Sequence, residues 1–191
     1  MIRVVVVDDH PALRAGLHTV LESEPGIVFA GESDGTEESL WPLLRKVEPD
    51  VVLLDYHLPK GDGLQLCYRI KQHVPAPRVI IFSAYADSGL ALPAQLAKAD
   101  AVLNKGVGAR ELFQAIRGVA AGQLLVDAPS AAALQEAHAH IAEADRALIG
   151  MLLDGTPEAD AARTLGRPVA DVRHAVQRTL SALRHSAPVV G

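Results

Sequence analysis

The chain has 191 residues, 49% hydrophobic and 21% charged, a globular rather than disordered balance. Its 18 Lys and Arg against 23 Asp and Glu give a formal charge of -5, which excludes a uniformly basic nucleic-acid coat but not a small basic patch. The single cysteine, Cys67, excludes a disulfide framework, and no run reaches the roughly 18 to 20 apolar residues of a membrane helix, so a cytoplasmic protein with no membrane partner is expected.

Along the chain, two kinds of segment alternate. Ile2–Val7 is a continuous β-branched strand run that meets Asp8 and Asp9. Residues 11–21 carry Leu13, Leu17, Val20 and Leu21 at helical spacing. Residues 27–30 read as a short strand and 36–47 as a helix through Leu40, Leu43, Leu44 and Val47. Residues 51–54 form a buried-strand run closed by Asp55, followed by a helix over 63–73. Residues 79–82 are a strand ending at Ser83. Residues 89–97 are a less regular helix, because Pro93 falls inside it. Residues 101–103 are the fifth strand, and 109–121 a helix with Leu112, Ile116 and Val119 on one face and Gly122 suited to its C-terminal cap.

Five strand–helix units whose strands are apolar throughout predict burial of both sheet faces. The expected fold is α/β, a doubly wound five-stranded parallel sheet of the flavodoxin-like kind, followed by a small all-α domain. Residues 123–141 change character and read as a linker, with an alanine-rich stretch after Ser130. Beyond it, 145–153, 158–165 and 170–183 read as three helices, with Gly166-Arg167-Pro168 as a turn.

The informative positions are the strand ends. Asp8, Asp9, Asp55, Ser83 and Lys105 converge on one edge if the sheet forms. Three neighbouring carboxylates repel one another unless a cation joins them, and oxygen donors suit Mg²⁺. A hydroxyl and an ammonium facing the acids can hold a dianionic phosphoryl group. The arrangement is that of an aspartate that accepts phosphate. Asp9 or Asp34 alone could simply cap a helix or solvate a loop. His10 could approach the pocket, yet a histidine beside a helix start reads more readily as a solvated or capping group. His57 reads equally as a water-facing loop residue or as an influence on dephosphorylation. Cys67 reads as an inert buried thiol and Trp41 as packing. His138 and His140, two residues apart, do not share a helix face and receive no metal.

The strings VVVVDDHP, VVLLDYHLPKGDG, VIIFSAY and AVLNKG resemble the receiver domain of two-component response regulators, over about residues 1–122. That resemblance implies Asp55 as phosphoacceptor, with Mg²⁺ held by Asp8, Asp9, Asp55 and the main-chain carbonyl of His57. It implies Ser83 as the switch hydroxyl and Lys105 as the phosphoryl-binding lysine. Pro59 and Gly63 fall in the loop that follows the phosphoacceptor. Where the family has an aromatic residue three before the lysine, this chain has Val102. The usual relay through an aromatic ring therefore cannot operate in the same way, and Tyr85 is a candidate substitute.

Residues 142–187 resemble the LuxR-type helix-turn-helix output domain of the NarL/FixJ family, in a divergent form. The resemblance makes 170–183 the recognition helix and puts Arg173, His174, Gln177 and Arg178 at the DNA. Ala142 replaces the usual capping threonine, at a cost of about 1 kcal/mol. Asp171 stands where a phosphate contact is expected and repels one. Residues 123–191 hold six arginines against eight acids. Together the two parts imply a regulator, not an enzyme. A cognate sensor histidine kinase phosphorylates Asp55, and phosphorylation controls homodimerisation and transcription through DNA. The alternative is an output domain that works through protein contacts instead.

Overall fold

The computed structural model describes residues 1–59, 61–84 and 89–184. Its elements in chain order are β1 (Ile2–Val7), α1 (Pro11–Glu22), β2 (Ile27–Ser33), α2 (Glu37–Val47), β3 (Val51–Asp55), β4 (His57–Leu58), β5 (Gly61–Asp62), α3 (Gly63–Ile70) and β6 (Arg78–Ser83). There follow α4 (Ala91–Leu96), β7 (Ala101–Asn104), α5 (Ala109–Ala120), α6 (Ala131–His140), α7 (Glu143–Leu153), α8 (Glu158–Thr164) and α9 (Val169–Arg184).

Five strands pair in parallel in the order β2-β1-β3-β6-β7, and β4 and β5 form a separate two-residue antiparallel ladder. Successive side chains of a strand point to opposite faces, so the apolar runs feed two cores. Val5, Val7, Val52, Leu54, Val79 and Ile81 meet α2, α3 and α4 on one face. Val4, Val6, Val51, Leu53, Ile80 and Phe82 meet α1 and α5 on the other. This is the doubly wound sheet expected from the strand pattern.

Some bounds move. Strand β2 runs on to Ser33, three residues beyond the apolar run, because it pairs with β1 as far as Val7. Helix α4 starts at Ala91, which makes Pro93 its third residue. There the missing N–H had no intrahelical partner to lose. Helix α3 stops at Ile70 instead of 73. Gly122 follows α5 with a positive φ of 92°, as its capping role requires.

The stretch after α5 is not featureless. Leu125 forms a parallel bridge to Ala101, donating from its N–H to the carbonyl of Asp100 at 2.7 Å. Val102 N–H donates to the carbonyl of Leu125 at 3.2 Å. Helix α6 then forms from the alanine-rich segment, its N-terminus capped by Ser130, whose hydroxyl accepts from Ala133 N–H at 3.1 Å. Alanine is the best intrinsic helix former, so this helix forms while burying little beyond Ala137.

Helices α7, α8 and α9 share a small cluster of Leu148, Ala161, Ala162, Val172 and Ala175. Ile149, Val176, Leu180 and Leu183 belong instead to the larger cluster that contains α3 and α4. Gln65 of α3 donates to Ser181 of α9 at 2.5 Å. The last helix thus packs on its own neighbours and on the sheet's helical layer together.

Candidate functional site

The parallel register brings the strand ends together. Asp55, last residue of β3, pairs with Phe82, and Ser83 pairs with Asn104. Asp8 follows β1, its N–H donating to Ser33 carbonyl at 3.1 Å, and Lys105 follows β7, its N–H donating to Ser83 carbonyl at 2.8 Å. Asp8 and Asp55 are each 2% exposed and Ser83 is fully buried. Lys105 Nζ bridges the two acids, 2.7 Å from Asp8 Oδ2 and 2.9 Å from Asp55 Oδ1.

Asp55 Oδ1 also accepts from His57 N–H at 3.2 Å. Its Oδ2 is buried with no hydrogen-bond partner among the described residues. A buried, unsatisfied carboxylate oxygen is costly in a fold that otherwise satisfies such groups. Burial raises the Asp55 carboxyl above the ordinary range, Asp8 adds to the rise, and Lys105 opposes it. Burial pulls the Lys105 ammonium down, but its bonds to Asp8 and Asp55 more than offset that, leaving it raised and charged.

Donor atoms of Asp8, Asp9, His10 and Asp55 all lie within 4.8 Å of one another. The three carboxylates of this set, one with an orphaned buried oxygen, fit a hard divalent cation. Asp9 sits half-buried at the rim. His57 starts β4, its exposed ring edge-on to Tyr56 at 4.5 Å.

The loop that carries His57 is held by a close backbone approach. Gly63 N–H donates to Tyr56 carbonyl at 3.0 Å, and a Cβ on Gly63 would lie 2.1 Å from the Asp55 carbonyl oxygen. Asp62 caps α3, accepting from Leu64 N–H at 2.8 Å. Val102 is half-buried against the cluster that includes α4. Tyr85, the candidate substitute for an aromatic relay, lies outside the described residues.

The residues expected at DNA are differently placed. Arg173 Nε is 3.5 Å from Glu158 Oε2. Arg178 and Arg167 both reach the buried Asp145, each at 2.9 Å. His174 and Asp171 are exposed and Gln177 is half-buried. Two acids the sequence reading missed organise this region. Asp145 holds α7 to α9 through Arg178 and to the turn before α9 through Arg167. Glu158 accepts from Tyr68 Oη at 3.0 Å and Gln72 at 3.3 Å, and pairs with Lys98, all three in the sheet-bearing part. Both acids stand in first turns, where an acid ordinarily answers the helix dipole, so nothing local marked their distant partners.

Comparison with known proteins agrees with this geometry. The family described as the response regulator receiver domain matches residues 4–117. The DNA-binding transcriptional activator DevR/DosR of Mycobacterium tuberculosis is 31% identical over 193 residues, covering 96% of this chain and 88% of that protein. The nitrate/nitrite response regulator protein NarL of Escherichia coli K12 is 26% identical, over 95% of this chain and 88% of that one. The crystal structure of a LuxR-family two-component response regulator from Aurantimonas sp. SI85-9A1 superposes with a TM-score of 0.62 at 32% identity, covering 73% of this chain and 99% of that chain.

Proposed function

Because the chain belongs to the two-component response regulators of the NarL/LuxR type, we propose that Asp55 accepts a phosphoryl group from the phosphohistidine of a cognate sensor histidine kinase. The observation that carries this reading is the buried Asp55 carboxylate, with one oxygen on Lys105 and the other without a partner among the described residues. The Asp55 oxygen attacks phosphorus, the P–N bond breaks as the P–O bond forms, and the kinase imidazole departs. Asp8, Asp9, Asp55 and the His57 main-chain carbonyl would hold Mg²⁺, which supplies positive charge against the phosphoryl oxygens. Lys105 exchanges its contact with Asp55 for a phosphoryl oxygen, and the Ser83 hydroxyl donates to another. The test is Asp55→Asn, which should fold normally and take up no phosphate from labelled kinase or acyl phosphate. Persistent labelling of that variant overturns the assignment.

Residues 1–122 are the receiver, 123–141 the connection and 142–187 the output. In the favoured reading phosphorylation promotes a homodimer that binds DNA through α9, with Arg173, His174, Gln177 and Arg178 at the contact. A relative named as a DNA-binding activator supports it. One observation favours the second reading, in which the output domain meets a protein. Arg167, Arg173 and Arg178 are each paired with an acid of this chain, so their positive charge is already compensated before any phosphate approaches. A salt titration of duplex DNA, with and without beryllofluoride at Asp55, separates the two. Salt-dependent binding that the mimic strengthens supports the first, and no binding by the folded chain in either state supports the second.

A further inference from the structure

His10 is the residue before α1, yet its side chain makes no capping bond. Its ring turns to the acidic pocket instead. Nδ1 lies 2.7 Å from Asp9 Oδ1 and 3.2 Å from Asp8 Oδ1. It belongs with Asp8, Asp9 and Asp55 to the one set of donor atoms that cluster within 4.8 Å among the described residues.

These separations carry chemical meaning. Around a six-coordinate divalent ion with bonds of about 2.1 Å, adjacent donors stand about 3.0 Å apart. The two His10 distances fall on either side of that edge length. The ring stands at about this distance from two acids, the half-buried Asp9 at the rim and the buried Asp8, whose Oδ1 also accepts from the His10 main-chain N–H at 2.8 Å. Deeper in the pocket, the buried Asp55 Oδ2 lacks a hydrogen-bond partner among the described residues. Ligation through Nδ1 leaves Nε2 to carry the ring proton, and the two-thirds exposure of the side chain keeps it at the open end, where an ion enters.

The geometry points to His10 as a nitrogen ligand to the cation in this pocket, which gives the site a preference for a transition-metal ion such as Mn²⁺ over Mg²⁺. This rests on the pocket being a divalent-cation site. Mg²⁺ prefers oxygen and keeps its waters, so it gains little from an imidazole, whereas imidazole suits first-row transition metals. Loss of the ring should therefore weaken Mn²⁺ roughly tenfold, the low end of what changes around a metal site produce, and Mg²⁺ by less than about threefold.

The experiment uses the full chain. Mn²⁺ binding is followed by electron paramagnetic resonance, Mg²⁺ binding by calorimetry, and the bound Mn²⁺ by electron spin echo modulation, which reports a directly ligated ¹⁴N. The expected result is a ¹⁴N modulation in the native chain that is lost in His10→Gln with the fall in Mn²⁺ affinity. Mn²⁺ bound without ¹⁴N modulation, or modulation that survives His10→Gln, overturns the role of His10 and leaves the pocket reading standing. Failure of both ions to bind the folded native chain overturns the pocket reading and this inference with it.

Discussion

A methyl group on Gly63 would stand 2.1 Å from the main-chain oxygen of Asp55. That oxygen belongs to backbone, which cannot swing aside as a side chain does. The contact binds the start of α3 to the end of β3 and so shapes the loop that presents His57. Gly63→Ala should cost about 1–3 kcal/mol, as overpacking does, and should slow phosphorylation of Asp55 by displacing the loop. Urea unfolding and acyl-phosphate labelling check it. Native stability together with native labelling shows that the loop yields freely.

Asp55 is a carboxyl whose pKa folding raises, through burial first and the charge of Asp8 next. The folded chain therefore holds the proton more tightly than the unfolded chain does. Linkage then gives a stability that declines as pH rises from the unfolded carboxyl value through the folded one. At neutral pH, without a cation, the ionised group costs stability. Asp55→Asn should raise Tm in chelator by a few degrees, since about 1 kcal/mol moves Tm by roughly 2–4 °C at this chain length. Mg²⁺ should raise the Tm of the native chain and narrow the gap. An equal or lower Tm for the variant in chelator contradicts the cost assigned to the buried charge.

Glu158 shifts the other way. Burial pushes its carboxyl up, but the pairing with Lys98 and the bonds from Tyr68 and Gln72 outweigh it, and the net pKa is lowered. The stability it contributes is fully present above the ordinary glutamate range and is lost as pH falls through the lower folded value. Glu158→Gln should destabilise the chain by about 2 kcal/mol at pH 7, in line with hydrogen bonds to charged groups. The deficit should shrink below about pH 4, where glutamate protonates anyway. A deficit that persists unchanged at low pH means that shape, not charge, holds this contact.

Arg173 leaves Glu158 if it is to meet a DNA phosphate. In a salt titration of the beryllofluoride-bound chain, Arg173→Ala should reduce the log–log slope by about 0.9, the value of one phosphate contact. Asp171→Asn, which removes a repulsion, should tighten binding and leave the slope unchanged. A slope indifferent to Arg173 keeps that arginine on Glu158 and weakens the DNA reading.

The sheet was legible because burial on both faces writes itself as unbroken apolar runs, and the pocket because each of its residues ends such a run. Asp55, Ser83 and Lys105 needed only the strand order to be brought together. Helix α6 was missed because its sequence is alanine-rich with no apolar face, so periodicity had nothing to register. Asp145 and Glu158 were missed for another reason. Their partners lie up to 90 residues away, and in the sequence each is only an acid at a helix start. The direction of the His10 ring, too, depends on the turn between β1 and α1, which residue identity does not encode.

The apolar cluster that runs from Val52 and Leu54 through α4 to Val176, Leu180 and Leu183 has a thermodynamic consequence. The five-residue cluster shared by the last three helices is too small to hold them alone. Their remaining packing rests on α3 and α4, so the chain should unfold as one cooperative unit with a single heat-absorption peak. Its calorimetric and van't Hoff enthalpies should coincide.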